Sequence, residues 1–244
     1  MTGPGELPRA FTMGDWPRVR MVVFDLDGTL YEQRGVRLAM AAELALHALR
    51  QRSLRDLKAI SRFRALREAY AERERTDFSS GCIAEAAAAA GLSGEQMAAL
   101  VEQWLERRPL RHLLKARVAG AAQAFAALAA SGRTVAVWSD YPVPEKLAAL
   151  GLAADLRASA ADPEVGRLKP HAAGLLWLCG KAGVPPAETL MIGDRVERDG
   201  EAAKRAGAFF LLRSRRAPDG PVASVADFRG PLFRPEAMAC PVST

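Results

Sequence analysis

Met21-Val22-Val23-Phe24-Asp25-Leu26-Asp27-Gly28-Thr29-Leu30 is the stretch whose reading decides the fold. An apolar run ends in two carboxylates two residues apart, followed by a glycine and a hydroxyl. In an extended strand, residues i and i+2 lie on one face. Two carboxylates on one face repel each other unless a cation or a proton intervenes. At the carboxyl end of a buried strand they read as a hard-metal site with a nucleophile in it. Residues 21–27 read as a strand with apolar residues at nearly every position, as in a parallel sheet covered on both faces.

Working outward, three more segments read as strands: Thr134 to Ser139, Thr189 to Asp194, and Ala208 to Leu212, with a weaker one at 155–160. Helices are expected at 117–131 (ending at Gly132), 144–150 (stopped by Gly151), 170–182, and 198–206 (ending at Gly207). Alternating strands and helices with short connections argue for α/β architecture, a doubly wound, mostly parallel sheet. Such sheets bind ligands at the carboxyl ends of their strands.

Residues 34–115 show no convincing strand. Ala, Leu, Glu and Arg dominate, with apolar positions at helical spacing: Leu38, Ala41, Ala42, Ala45 and Leu49, then Ile60, Phe63, Leu66, Ala69 and Tyr70. Ser93 or Gly94 is placed to cap a helix over 95–107. The segment reads as an inserted all-helical cap of roughly four or five helices. The α/β core then comprises 19–33 and 116–215. Residues 1–18, rich in Gly and Pro, read as a flexible leader with some order around Trp16. Residues 216–244 read as a peripheral C-terminal segment.

Composition narrows the class. Of 244 residues, half are hydrophobic, enough for a sizeable core. No apolar run approaches a membrane span, and the N-terminal residues lack the apolar region of a secretory signal. Cys82, Cys179 and Cys240 are odd in number and far apart, which argues against a disulfide framework or zinc site and suits a reducing cytoplasm. The net charge of +6 comes from arginines scattered over helices rather than gathered in a block. That pattern reads as an Arg-rich solvated surface, with attraction of an anionic substrate as the alternative; it gives no reason to expect nucleic acid. Arg34 and Arg37 take the solvated-helix reading by default, and Tyr31 is placed to line an entrance.

Each clear strand ends in polar chemistry: Asp25 and Asp27, Ser139 and Asp140, Gly193 and Asp194. Lys169 opens the helix between the last two, and Asp199 follows Asp194 by five residues. Asp25 is a carboxylate able to attack an electrophile. Asp27 is placed to protonate a leaving oxygen and deprotonate a water. Mg²⁺ takes oxygen ligands, which Asp25, Asp194 and the backbone carbonyl of Asp27 would supply. Lys169 would neutralise phosphate charge, and Ser139 and Thr29 would donate to phosphate oxygens. Gly28 lets backbone N–H groups approach an anion.

This ordered set, from Asp25-Leu26-Asp27-Gly28-Thr29-Leu30 through Ser139 and Lys169-Pro170 to Gly193-Asp194 with Asp199, resembles the haloacid dehalogenase-like (HAD) hydrolase superfamily over roughly residues 20–215. The resemblance implies a Rossmann-like core and a C1-type cap that closes over the site and selects substrate. It implies aspartyl-phosphate chemistry on Asp25, acid/base work by Asp27, phosphate contacts from Ser139 and Lys169, and Mg²⁺ held by Asp25, Asp27 and Asp194 with Asp199 in support. The namesake dehalogenases lack the second Asp, so Asp27 favours phosphoryl over C–halogen chemistry. The expectation is a Mg²⁺-dependent phosphatase acting on a small phosphorylated metabolite. Its rivals are phosphoryl transfer on the same scaffold, as in sugar phosphomutases, and a non-catalytic binding protein that kept the fold. Two positions depart from the family pattern: Asp140, where Asn is more frequent, and Arg195, where a small residue is usual. Arg195 has Asp140 and a substrate group as its two alternative partners.

Overall fold

The computed structural model describes residues 8–216 and 222–238. In chain order the elements are β1 (Arg9–Ala10), a 3-10 helix (Met13–Arg18), β2 (Met21–Phe24), α1 (Gln33–Gln51), α2 (Arg55–Glu72), α3 (Phe78–Ala90), α4 (Gly94–Val101) running on through a π-helical stretch (Glu102–Arg107), and α5 (Leu110–Ala116). There follow α6 (Ala121–Ala130), β3 (Thr134–Ser139), α7 (Pro144–Ala149), β4 (Leu156–Ser159), α8 (Ala173–Ala182), β5 (Thr189–Gly193), a π-helical turn (Val196–Gly200), α9 (Glu201–Ala206), β6 (Phe209–Arg213), β7 (Ser224–Val225) and α10 (Pro235–Met238).

Among the described residues the strands form one seven-stranded parallel sheet in the order β1-β6-β5-β2-β3-β4, with β7 also on β6. β2 lies between β3 and β5, with Phe24 opposite both Val137 and Ile192. Its position explains the unbroken apolar run, since all four of its residues are buried. Side chains alternate between faces. Val22, Phe24, Val135, Val137, Leu190 and Ile192 join one core, while Met21, Val23, Ala136, Trp138 and Met191 join the other. This is the doubly wound α/β architecture that the alternating pattern implied.

The helices α1 to α5 form the insertion. The chain leaves and re-enters the core at one place: Glu32 N donates to Ala116 O (2.8 Å) and Val118 N to Leu30 O (2.9 Å). Ser93 caps α4 through a reciprocal pair. Gln96 N donates to Ser93 Oγ (3.1 Å) and Ser93 N to Gln96 Oε1 (2.9 Å). Ser93→Ala is therefore expected to lower stability by about 1 kcal/mol, read as a shift of the denaturant midpoint at constant slope.

Three sequence expectations need correcting. The stripe Leu38, Ala41, Ala42, Ala45 and Leu49 is the solvent face of α1, with Leu38 at 64% and Leu49 at 74% exposure. The buried stripe is Val36, Met40, Leu44 and Ala48. α1 is apolar on both sides, so spacing alone does not choose the inner face. Second, residues 8–18 are not a flexible leader: β1 pairs with β6, and Trp16 is fully buried with its Nε1 donating to Leu232 O (3.0 Å). Third, the described part of the C-terminal segment is not peripheral, because Phe228, Phe233 and Met238 are buried. Buried Arg133 ties both ends to the core, donating to Val19 O, Trp16 O and Met238 O at 2.8–3.0 Å. Single long-range anchors of this kind carry no periodicity. Residues 1–7, 217–221 and 239–244, with Cys240, lie outside the described residues.

Candidate active site

The carboxyl ends of β2, β3 and β5 open into a cleft of about 410 Å³ between the sheet and α1 and α2 of the cap. β2 ends at Phe24, and the next residue continues the ladder by one bond, Asp25 N to Ile192 O (2.8 Å). Asp25 is therefore fixed by backbone before its side chain meets anything. Its Oδ1 accepts from Lys169 Nζ (2.5 Å). Its Oδ2 is buried and has no hydrogen-bond partner among the described residues. Burial pushes the Asp25 carboxyl well above the usual carboxylate range; Lys169 opposes this, and Asp199 and Asp194 add to it.

Asp27 has the opposite environment. Its Oδ1 accepts from Lys146 Nζ (2.6 Å) and from the Tyr31 hydroxyl, and its Oδ2 from Ser139 Oγ (3.0 Å). Burial acts to raise its pKa, but Lys146, then Tyr31 and Ser139, hold it below the ordinary value. Two carboxylates two residues apart are thus made unequal: Asp27 is ionised and held on both oxygens, while Asp25 resists ionisation unless positive charge arrives.

Lys169 is buried, and its Nζ donates to Asp25, to Asp199 Oδ1 (2.8 Å) and to Trp138 O (3.1 Å). Burial alone would lower its pKa, but Asp199 and Asp25 together raise it above the usual lysine value. Asp199 Oδ2 accepts from Arg195 N (3.1 Å), which closes the π-helical turn after β5. One carboxylate oxygen from each of Asp25, Asp194 and Asp199 lies within 4.8 Å of the others. The Asp194 carboxyl is pushed up to about 7, by burial first and then by Asp199. The glycines make this packing possible. A Cβ on Gly28, whose φ is +105°, would fall 2.1 Å from Asp194 Oδ2, and one on Gly193 would fall 2.3 Å from Asp199 Cβ.

The donor set consists of hard oxygens, one of them, Asp25 Oδ2, buried with no hydrogen-bond partner among the described residues. It fits a divalent cation held by Asp25, Asp194 and Asp199. The pH dependence of stability tests this. The ordinary aspartate value is 3.8 and the folded Asp194 value is about 7, so the folded state holds its proton more tightly. Stability is then lost as pH rises through that window. Asp194→Asn should match wild type below pH 4 and exceed it by on the order of 2–3 kcal/mol at pH 8 in chelator. Denaturant melts at both pH values check this; a gain that did not grow with pH would sink it.

Of the predicted residues, Asp25, Asp27, Ser139, Lys169, Asp194 and Asp199 meet in the cleft. Two assignments change. The Asp27 side chain faces Lys146 and lies outside the acidic triad. Thr29 is fully buried, its Oγ1 has no partner among the described residues, and it is not part of the cleft wall. The strand has ended by Phe24, so strand alternation no longer tells where Thr29 points. Ser139 does reach the site, with its hydroxyl hydrogen given to Asp27 and its oxygen accepting from Tyr141 N (3.1 Å).

The two departures from the family pattern find their places. Asp140 Oδ1 accepts from Lys169 N (3.0 Å), which steadies the lysine's backbone. Arg195 pairs with Glu68 (3.1 Å) on α2 and with Glu197 (2.8 Å), not with Asp140. Arg198 also reaches Glu68 (2.5 Å). Lys146 was not foreseen. Pro144 opens α7 just after Ser139, so the third residue of the helix turns back onto the strand end, yet in sequence it is one lysine among many. His171 caps the start of α8 by accepting from Ala173 N (3.2 Å).

A parallel sheet with Asp25 just past the carboxyl end of its central strand, an acidic triad that includes it and an inserted helical cap above points to a class of hydrolase. Residues 19–207 match the sequence model of the haloacid dehalogenase-like hydrolase family, and the chain belongs to that family. Solved structures share the fold. A 2-haloacid dehalogenase from Pseudomonas syringae pv. Tomato DC3000 is 20% identical, with a TM-score of 0.62 over 91% of this chain and 98% of that one. The putative HAD-hydrolase YfnB from Bacillus subtilis, in a magnesium-bound form, is 18% identical, with a TM-score of 0.62 over 86% and 95%. A HAD phosphatase from Thermococcus onnurineus is 18% identical, with a TM-score of 0.57 over 86% and 94%. No curated protein is significantly similar to the chain in sequence. Among the described residues, no helix is long and apolar enough to cross a membrane.

Proposed function

We propose that the chain is a Mg²⁺-dependent phosphatase that hydrolyses a small phosphorylated metabolite through an aspartyl-phosphate on Asp25. The observation that carries this reading is Asp27, two residues from Asp25, held in the same cleft by Lys146, Tyr31 and Ser139. Expelling a halide needs no proton, whereas expelling an alkoxide does. A bound cation would supply the positive charge that lets Asp25 ionise and that neutralises the phosphoryl oxygens.

The residues divide the work. An Asp25 carboxylate oxygen attacks phosphorus, and the bond from phosphorus to the leaving oxygen breaks. Asp27 starts ionised and takes up the proton brought by a monoester bound as its monoanion, whose second pKa is about 6. It passes that proton to the leaving oxygen. Water then attacks the aspartyl-phosphate as the Asp25–phosphorus bond breaks, Asp27 accepts the water's proton and hands it to the departing phosphate, and both carboxylates are restored. Lys169 stabilises charge on the transferring group. Phosphate release from a panel of phosphorylated metabolites, with and without Mg²⁺, tests the reading. Cation-dependent release from at least one ester supports it, and release of halide from 2-haloacids with no phosphate release would overturn it.

A further inference from the structure

We propose that Arg37 and Arg64, on the cap side of the cleft, form an anion subsite, and that the leaving group of the substrate therefore carries a second anionic group of its own. This rests on the phosphatase reading above and names the substrate class for it.

The charges lining the cleft are almost all accounted for. Lys146 is paired with Asp27, Lys169 with Asp25 and Asp199, Arg195 with Glu68 and Glu197, and Arg198 with Glu68. Arg37 and Arg64 line the same cleft and have neither a hydrogen bond nor an ion pair among the described residues. They stand close enough to repel each other. Arg64 is open to the cleft, yet crowding around its guanidinium and the charge of Arg37 both act to pull its pKa down, against Tyr141, Tyr31 and Asp27. Two cations lining one cleft without a carboxylate partner among the described residues form a site that an anion would relieve.

Their position tells which end of the substrate they meet. The groups whose fields reach Arg64 are Tyr141, Arg37, Tyr31 and Asp27, and Arg37 in turn bears on Tyr31. Tyr31 donates to Asp27, the residue that serves the leaving oxygen. Asp194 and Asp199 follow β5 on the core side of the cleft, whereas Arg37 and Arg64 stand on the cap helices α1 and α2. An anion between the arginines thus belongs to the departing alcohol. Val36 and Met40 line the wall beside Arg37, so a short apolar chain fits between the two charged ends. A carboxylate and a second phosphate share the required chemistry.

The test uses three short-chain phosphate monoesters that differ only at the far end of the alcohol: carboxylate, phosphate or carboxamide. Phosphate release is measured for wild type, Arg37→Gln, Arg64→Gln, Arg64→Lys, and Arg34→Gln, whose arginine lies outside the cleft wall. Wild type should prefer one of the anionic esters over the carboxamide by roughly tenfold to a hundredfold in kcat/KM, mainly through KM. Whichever anionic ester is preferred identifies the group. The preference should fall toward one in both Gln variants, persist in part in Arg64→Lys, and stay at the wild-type ratio in Arg34→Gln. A generic aryl phosphate separates the two ways of failing. Turnover of it by wild type with an anion preference near one overturns the subsite alone, as does a wild-type preference retained in the Gln variants. No phosphate release from any of these esters overturns the phosphatase reading and the subsite with it.

Discussion

Asp25→Asn is expected to abolish turnover and, in the same molecule, to raise the stability of the metal-free protein. Loss of the attacking carboxylate leaves no route to the covalent intermediate, so kcat should fall roughly 10⁴-fold or more. The stability effect has the opposite sign for a physical reason. Burial dominates the Asp25 environment, and Asp199 and Asp194 add repulsion that Lys169 only partly offsets, so the native state favours the neutral carboxyl. An amide of the same shape is neutral at every pH, and Lys169 keeps Asp199 and Trp138 O as acceptors. Denaturant melts in chelator at pH 8 should therefore show a higher midpoint for the variant, and added Mg²⁺ should stabilise wild type more than the variant. Equal turnover by the two proteins would sink the mechanism; a lower midpoint for the variant would sink the electrostatic account of Asp25.

Gly28→Ala should do comparable damage without touching a reactive group. The backbone there has φ +105°, which costs an L-residue about 1–2 kcal/mol. The new methyl would also sit 2.1 Å from Asp194 Oδ2 and 2.7 Å from its Cγ. Either Asp194 leaves the triad or the loop moves, and the loop is held by Arg213 Nη1 donating to Gly28 O (3.1 Å). The expected result is a loss of about 2–4 kcal/mol of stability. Activity should fall at least about a hundredfold, and Mg²⁺ should no longer raise the midpoint. Gly35→Ala is the matched control. That glycine lies within α1 with nothing within 4 Å of the added carbon, so the change should be neutral or stabilising by up to about 1 kcal/mol. Similar behaviour of the two variants would refute the steric argument.

What could be read from sequence follows from which features are local. The apolar run before Asp25 and the acids and glycines at the ends of β2 and β5 are properties of a few adjacent residues, so the sheet, the inserted helices and most of the site were legible. Lys146 and Glu68 were not, and Tyr31, though placed at the entrance, gave no sign of its bond to Asp27, because these roles depend on where the chain turns back: Lys146 through the first turn of α7, Tyr31 through the exit from the core, Glu68 through the docking of α2. Thr29 was expected at the phosphate for its hydroxyl alone, and past the end of β2 no periodicity tells that its side chain is buried away from the cleft wall. The inner face of α1 was misread because alanine and leucine occupy both of its sides. Trp16 and Arg133 show why the ends were underestimated: the segments there are held by scattered long-range hydrogen bonds and single buried side chains, for which there is no pattern to find.

The paired crossing between Glu32 and Ala116 has a consequence for modularity. Because the exit and return strands are hydrogen-bonded neighbours, the whole helical insertion is, from the core's side, a loop of almost no span. Closure cost grows only slowly with the length of such a loop, so the core can carry insertions of very different size at similar cost. Both hydrogen-bond donors to Asp27 Oδ1 lie on the core side of that crossing: Tyr31 just before it, Lys146 well after it. An exchange of residues 33–116 for another insertion would replace Arg37, Arg64 and the anion they hold, yet leave the acid/base group in its own surroundings. Substrate choice and chemistry are in this sense separable cassettes of one chain, whose two covalent crossings lie side by side.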